Sequence, residues 1–262
     1  MKTVDNQKDR IAKYISRAGV CSRRDAEKLI AEGRVSLNGE ILLTPAMKVD
    51  SSDEILIDGN PLPQKAPVRL WRFHKPAGVI TSARDEKDRQ TIFDILPPDL
   101  PRVMTIGRLD YNTEGLLLLT NDGELARRLE LPTTGWVRRY KVRAHGQVAP
   151  ERLKELKKGI EIDGIKYGSI DAKIERGEKS NIWLTVSLKE GKNREVRNIL
   201  EHIGLKVNRL IRLSYGPFQL GSLPSRQVDE ISPKVIRSHL GKKLSEGLDM
   251  PVQSQAKRRK KS

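Results

Sequence analysis

One carboxylate stands out by its setting. Asp110 lies between Gly107 and Gly115, and the apolar run Leu116–Leu119 follows Gly115. The run is too short to span a membrane and is followed by the turn sequence Asn121-Asp122-Gly123, so it predicts a fully buried strand. An ionised carboxylate on a loop over such a strand can act as a nucleophile or as a base. It can equally form a turn or cap a helix, and both interpretations stay open at this point.

The order of residues around Asp110 favours the catalytic interpretation. Residues 107–123 read G-R-L-D-Y-N-T-E-G-L-L-L-L-T-N-D-G. This string closely resembles the catalytic motif of the RsuA/RluB-type ribosomal pseudouridine synthases, in which G-R-L-D-x-x-T-x-G-L-L-L-L-T-N-D-G surrounds the essential aspartate. The match runs through polar as well as apolar positions, and it implies that Asp110 is the catalytic residue.

Two further segments carry the same resemblance, in the order that the family shows. F-H-K-P-A-G-V-I-T-S at residues 73–82 is similar to the family's opening K-P-x-G segment, and E-G-K-N-R-E-V-R at residues 190–197 is similar to its late basic motif. The resemblance covers about residues 8–240. It implies an enzyme that converts one or a few uridines of ribosomal RNA to pseudouridine, most similar to the large-subunit type. The small subunit stays open, because RNA is recognised largely through shape and splayed bases.

Pseudouridine formation breaks the glycosidic bond of a uridine and rejoins the uracil through carbon. It involves no redox change, so the resemblance implies no cofactor. The target nucleotide has to leave its stack before a carboxylate can reach it. Asp110 would then act on the ribose as a nucleophile or as a base, and the sequence does not choose between these routes.

A carboxylate in a dry pocket tends toward its neutral form unless a cation favours its charge, and the expected cation is an arginine. One apolar stripe predicts a helix here: Val196, Ile199, Leu200 and Ile203. Asn193 is expected to cap its start, and Gly204 is expected to end it. At about 100° per residue, Arg197 lies at the border of this stripe and should be half buried, whereas Arg194 points nearly opposite. Arg197 also matches the late-motif arginine that pairs with the aspartate in the family. The alternative is an arginine that extends along the helix edge to solvent.

An aromatic residue and a second arginine complete the implied site. Tyr140 matches the family's active-site tyrosine, which stacks on the flipped base. Its alternative role is that of a strand tyrosine in the core, and Trp71 or Tyr111 could also stack on the base. Arg108 stands beside Asp110 and matches a family arginine that helps bring the nucleotide out of the helix.

Other site chemistries find little support in the sequence. The four histidines show no metal-ligand spacing, and the single cysteine, Cys21, excludes an intrachain disulfide and a multi-cysteine zinc site. Asp122 could be the second acid of a glycosidase-like pair, but it belongs to an Asn-Asp-Gly turn. We therefore expect neither a metal nor a cofactor.

The charge balance favours a polyanionic partner. The 262 residues include 50 Lys and Arg against 34 Asp and Glu, for a formal net charge of +16, and residues 257–261 hold only five of these cations. The excess on the rest of the chain suits nucleic acid. No apolar stretch approaches membrane length, and residues 1–10 lack a signal-peptide core. We expect a cytoplasmic monomer that does not contact membranes and that binds ribosomal RNA or a pre-ribosomal particle.

The N-terminal part predicts a small RNA-binding module, preceded by a disordered segment at residues 1–7. One helix is predicted around Ile11 and Ile15, and a second begins at Ser22 and ends at Gly33. Alternating residues around Asn38-Gly39 predict a hairpin, followed by a strand at 54–57. This order over residues 8–63 resembles the S-four-type (αL) RNA-binding domain found at the N-terminus of the family. Five basic residues would then contact RNA, rather than only solvate helix faces: Arg17, Arg23, Arg24, Lys28 and Arg34.

The rest of the chain predicts a larger domain. A proline-rich linker at residues 64–69 leads to a catalytic domain at 70–244, and a basic disordered tail covers 245–262. Besides the buried run, strands are predicted at 103–106, 137–144, 170–174 and 182–188, and helices at 124–129 and 149–160. Strands in succession without regular crossover helices indicate an α+β domain built on a mixed, mostly antiparallel sheet.

Two hypotheses about function follow. In the first, the catalytic domain is active, and the basic residues of its motifs contact RNA: Lys75, Arg108, Lys192 and Arg194. In the second, the chain is a non-catalytic RNA-binding or ribosome-assembly factor that retains the fold. The two separate at Asp110, since only the first needs its charge.

Overall fold

The computed structural model describes residues 8–83, 85, 87–178 and 180–251. The disorder predicted for residues 1–7 and for residues 252–262 of the tail lies outside the described residues.

The N-terminal module has the two helices and the hairpin that the sequence predicts. Its helices are α1 (Ile11–Arg17) and α2 (Arg23–Ala31). Its four-stranded sheet runs in the order β3 (Glu40–Leu42), β2 (Val35–Leu37), β5 (Ile55–Ile57) and β6 (Asn60–Pro61), and β1 (Asp9–Arg10) pairs with β4 (Lys48–Val49). Ser22 caps α2 by accepting a hydrogen bond from the Asp25 N–H at 3.1 Å. Asn38 and Gly39 turn the hairpin with φ of 52° and 90°, as a tight turn requires.

A nine-stranded sheet forms the second domain. Its order is β13 (Ile170–Glu178), β14 (Asn181–Leu188), β10 (Arg138–His145), β15 (Lys206–Tyr215), β9 (Thr113–Thr120), β7 (Leu70–Lys75) and β17 (Val228–Glu230). In addition, β16 (Phe218–Gln219) pairs with β15, and β8 (Met104–Ile106) pairs with β9. β9 and β15 run parallel, and the other described neighbours in this sheet run antiparallel. The mixed, mostly antiparallel sheet is therefore confirmed.

Buried side chains attach four helices to this sheet. α4 (Pro150–Glu155) and α5 (Glu195–His202) pack on the half of the sheet formed by β10, β13 and β14. α3 (Gly123–Glu130) and α6 (Pro233–Ser245) cover the even-numbered leucines of β9, Leu116 and Leu118. The odd-numbered ones, Leu117 and Leu119, pack with Ile92 in a separate cluster. Both faces of β9 are thus covered, which explains its uninterrupted apolar run.

One predicted helix is too long. The expectation of a helix over 149–160 is wrong in its length, because α4 ends at Glu155 and one 3-10 turn continues to Lys158. Gly159 then has φ of 83°, and a Cβ there would lie 2.7 Å from the Tyr167 carbonyl oxygen. The chain reverses at this glycine, and Ile160 begins the hairpin of β11 (Ile160–Ile162) and β12 (Ile165–Tyr167).

The linker and the tail are more structured than the sequence predicts. Val68 is fully buried in the catalytic core, and its N–H donates to the Asp249 carbonyl at 2.8 Å. Leu248 and Met250 pack on the same cluster, so disorder is the wrong prediction for residues 245–251. Within the described part of the chain, no helix combines the length and apolarity needed to cross a bilayer.

Candidate active site

A pocket of about 690 Å³ opens at the middle of the sheet, beside the loop that carries Asp110. Strands β10 and β15 form its floor, and the segment before α5 forms one wall. Its ionisable lining is mainly cationic: Arg108, Arg138, Lys192, Arg194 and Arg212 against Asp110, Glu130 and Glu195. The excess of cations favours the binding of an anionic chain, and the Asp110 carboxylate lies in the same pocket.

Backbone contacts fix the loop around Asp110. The Asp110 carbonyl accepts from the Thr113 N–H at 3.0 Å, and Thr81 Oγ1 donates to the Leu109 carbonyl at 2.9 Å. The Gly107 N–H donates to Glu130 Oε1 at 2.7 Å, which ties the start of the loop to α3. The Asp110 side chain is half buried, and no cap or turn hydrogen bond to it is found among the described residues. Its carboxylate is thus left to face the pocket.

Lys75 lies beneath this loop instead of on the RNA-facing surface, so its prediction as an RNA contact is wrong. It is fully buried, because β7 pairs with β9 and places Lys75 opposite Gly115. Its Nζ donates to four carbonyl oxygens, those of Pro76 at 3.0 Å, Asp110 at 3.2 Å, Tyr111 at 3.4 Å and Thr113 at 3.0 Å. Burial lowers the pKa of Lys75 to about 8, against the opposing attraction of Asp110 and Glu114.

The Arg197 side chain also binds a backbone carbonyl of the loop that carries Asp110. Its Nη2 donates to the Asn112 carbonyl at 2.9 Å and its Nη1 to the Val207 carbonyl at 3.0 Å. The side chain is 6% exposed, so it is more deeply buried than the helical pattern predicts. Burial lowers its pKa, Arg194 adds to this effect, and the charge of Asp110 opposes it. The ion pairs of the described residues include none between Arg197 and Asp110, so Arg197 acts at longer range than the expected direct pair.

The helix that carries Arg197 does not begin with an Asn193 cap, as the sequence predicts. Arg194 occupies the cap position in a left-handed conformation with φ of 48°, and no side-chain hydrogen bond caps the helix. Glu195 folds back instead, and its Oε2 accepts from the Lys192 N–H at 2.8 Å. Arg194 is exposed at the pocket, as its position on the predicted helix implies.

Tyr140 lies on the floor of the pocket and is 8% exposed. It also belongs to the core beneath α5. The same side chain is therefore both a core residue and a pocket residue, which are the two alternatives that the sequence leaves open. Trp71 packs in the cluster of Leu117 and Leu119, and Tyr111 is exposed near Gly78. Neither of these two aromatic residues lines the pocket.

The sequence analysis missed Arg212, which lies directly opposite Tyr140 in the β10–β15 ladder. It is 2% exposed, and its Nε donates to the Leu116 carbonyl at 2.7 Å. Its guanidinium lies over the Tyr215 ring, 5.2 Å from the centroid. An arginine inside the alternating strand sequence L-I-R-L is the signal that could have identified it.

The structure also places Arg108, Lys192 and Asp122 relative to the pocket. Arg108 is exposed at the pocket, and Lys192 lines it while pairing with Glu190 at 2.8 Å. Asp122 is no second acid of the pocket, since its Oδ1 accepts from the N–H groups of Glu124 and Leu125 and caps α3.

In the N-terminal module, two of the five predicted basic contacts are occupied by carboxylates. Arg17 pairs with Asp9 and Arg34 pairs with Asp58, both at 2.6 Å. The other three line a groove of about 860 Å³ between the module and the catalytic domain, together with Arg102: Arg23, Arg24 and Lys28.

Comparisons with known proteins agree with this architecture. The family model for RNA pseudouridylate synthases matches residues 69–202, and the S4 domain model matches residues 9–55. The chain is 50% identical over 227 residues to an uncharacterised RNA pseudouridine synthase of Rickettsia felis, covering 87% of this chain and 98% of that protein. It is 38% identical over 233 residues to the ribosomal large subunit pseudouridine synthase B of Bacillus subtilis, covering 87% of this chain and 94% of that protein.

A solved structure shows the same architecture. The crystal structure of a pseudouridylate synthase matches with a TM-score of 0.61 at 26% identity, over 88% of this chain and 99% of the other. The order of an S4 domain and a synthase domain, the sheet and the sequence relatives all agree. The chain belongs to the RNA pseudouridine synthase family.

Proposed function

We propose that this enzyme converts one or a few uridines of large-subunit ribosomal RNA to pseudouridine, with Asp110 as the catalytic residue. The observation that carries the proposal is the setting of Asp110, a half-buried carboxylate without an intramolecular cap bond among the described residues, in a mainly cationic pocket. The large subunit is favoured by the name of the Bacillus subtilis relative.

The proposed chemistry needs the target nucleotide flipped into the pocket. Asp110 then acts on the ribose, as a nucleophile or as a base, and the N1–C1′ bond of the uridine breaks. The uracil turns and forms a bond from C5 to C1′, so no atom is gained or lost. Tyr140 supports the base from the pocket floor, and Arg197 positions Asp110 through the Asn112 carbonyl. Arg108 and Arg194, both exposed at the pocket, contact RNA phosphates.

The N-terminal module docks on structured RNA in this proposal. Arg23, Arg24 and Lys28 face the groove toward the catalytic domain, where they can contact phosphates of the same RNA. The partner is ribosomal RNA or a pre-ribosomal particle, which places the enzyme in the cytoplasm and in ribosome biogenesis. We propose a monomer as the active form.

Asp110→Asn tests the catalytic assignment, because it keeps the shape of the side chain and removes its charge. We expect the variant to bind RNA normally and to form no pseudouridine. Carbodiimide mapping of ribosomal RNA from cells that carry the variant measures the pseudouridine. Asp163→Asn is the matched control, an exposed aspartate in the turn between β11 and β12. Normal modification by the Asp110 variant would contradict the assignment of Asp110 as the catalytic residue.

The same mapping identifies the substrate. Ribosomal RNA from cells with and without the enzyme should differ by the loss of one or a few carbodiimide stops in the large subunit. Stops lost only from the small subunit would contradict the proposed subunit and leave the reaction unchanged.

A further inference from the structure

Three buried side-chain polar atoms at the pocket have no hydrogen-bond partner among the described residues. They are Arg212 Nη2, Thr113 Oγ1 and Glu195 Oε1, and all three residues line the same pocket. A buried donor that lacks a partner costs about 1–3 kcal/mol, more for a charged group. Such atoms therefore indicate a polar ligand that supplies the missing partners when it enters.

Arg212 is the charged donor of this set, and two contacts hold its side chain in place. Its Nε is bound to the Leu116 carbonyl at 2.7 Å, and its guanidinium lies on the Tyr215 ring. Tyr215 is itself fixed, since its hydroxyl donates to the Leu129 carbonyl at 2.8 Å and accepts from Arg138 Nη2 at 3.0 Å. The free Nη2 thus belongs to a cation whose position is set before substrate arrives.

The depth of Arg212 indicates which part of the nucleotide it meets. Arg108 and Arg194 are exposed at the pocket and suit phosphates, which remain on the RNA chain outside. Arg212 is only 2% exposed and lies across the ladder from Tyr140, the residue proposed to support the base. A flipped nucleotide enters with its base foremost. Uracil offers two carbonyl oxygens, O2 and O4, as acceptors for Nη2.

We propose that Arg212 is a further catalytic residue that donates from Nη2 to a carbonyl oxygen of the flipped uracil. The inference rests on the proposed function of this pocket. When the N1–C1′ bond breaks, its electron pair stays on the uracil, and the negative charge spreads onto O2 and O4. A preorganised guanidinium at one of these oxygens stabilises that charge. The anion is consumed when C5 bonds to C1′, C5 loses its proton and N1 gains one.

The first test uses the wild-type enzyme and three synthetic RNA stem-loops. Each contains the uridine mapped as above, present as uridine, 2-thiouridine or 4-thiouridine. Sulfur is a poorer acceptor than oxygen, so we expect one thio substrate to react about tenfold more slowly, as the loss of one hydrogen bond predicts. The isomers are separated chromatographically after nuclease digestion. Equal rates on all three RNAs would overturn the proposal, whereas normal turnover of the uridine RNA keeps the proposed function intact.

The second test is Arg212→Gln with the same RNAs. We expect kcat to fall about 100-fold, while RNA affinity changes little, because the contact is strongest when the base carries charge. The variant should also lose the sensitivity to sulfur, as a double-mutant cycle requires for a direct contact. If Arg212 has only a structural role, the result should be the opposite. The variant would then react more slowly with every RNA, and the rate difference between uridine and the thio substrate would stay as large as in the wild type.

Discussion

At the residue scale, one buried cation organises the backbone around Asp110. Lys75 Nζ donates to four carbonyls, three of them within residues 110–113. Replacement by Met would remove the charged donor that these four oxygens share, so we expect Lys75→Met to lose about 3 kcal/mol of stability and most activity. Urea unfolding and pseudouridine formation measure the two effects. Lys173→Met is the control, with a side chain 72% exposed and an expected change within about 0.5 kcal/mol.

The lowered pKa of Lys75 gives this contribution a pH dependence. The folded pKa is about 8 and the model-peptide value is 10.5, so between these values the unfolded chain binds more protons than the folded one. The free energy of unfolding of the wild type should therefore rise relative to Lys75→Met as pH increases from about 8 to 10.5. Urea titrations across this range measure the difference. A difference that stays constant with pH would contradict the burial of this charge.

Gly115 shows a steric requirement at the same place. Its φ is 103°, and a Cβ there would lie 2.3 Å from the Arg212 carbonyl oxygen, where β9 and β15 run side by side. We expect Gly115→Ala to lose at least about 3 kcal/mol of stability, because a strand has to shift. Gly164→Ala is the matched control, since Gly164 has φ of 76° but open space around it. A loss of stability as small as that of the control, about 1 kcal/mol, would mean that the β9–β15 ladder accommodates the added methyl group.

At the element scale, local patterns predict helices and strands well, and the pairing of distant elements explains the failures. The stripe on α5 predicts Arg197 at the border of the buried face, because helical periodicity is a local property, and the structure buries this side chain more deeply. The sequence alone predicts an RNA contact for Lys75, because only the pairing of β7 with β9 buries this side chain. Arg212 was missed for the same reason, since its neighbours Tyr140 and Gly115 are far away in sequence.

The C-terminal segment is the element whose stability is most readily tested. Arg128 Nη1 donates to the carbonyls of Leu244 and Glu246, and Asp249 accepts from Val68 N–H. Truncation after Gly241 removes these contacts and exposes the core between α3 and α6, on which Leu248 and Met250 pack. We therefore expect a thermal midpoint lower by several degrees. Truncation after Pro251 is the control and should change it little. Equal midpoints for both truncations would show that residues 242–251 add no stability.

At the scale of the whole molecule, the N-terminal module and the catalytic domain have separate cores. The buried cluster of the module lies within residues 11–62, and those of the catalytic domain lie within residues 68–250. We therefore expect deletion of residues 1–63 to leave a folded catalytic domain with weaker binding to structured RNA. Circular dichroism and RNA binding check the two parts. An insoluble product would place the boundary elsewhere.

The charges of the module should set much of the salt dependence of RNA binding. Each phosphate contact releases counterions and contributes about 0.7–0.9 to the slope of log affinity against log salt concentration. Arg23, Arg24 and Lys28 have no ion-pair partner among the described residues, so changing all three to Gln should reduce the slope by about 2–3.

The matched control uses the other two basic residues of the module. Because Arg17 and Arg34 are already paired with Asp9 and Asp58, Arg17→Gln combined with Arg34→Gln should reduce the slope by less than about 1. Binding titrations of one rRNA stem-loop between low and high salt measure both variants. If the two variants reduced the slope equally, the groove beside Arg102 would not be where the module holds RNA, and the phosphate contacts would have to lie around the ion-paired arginines instead.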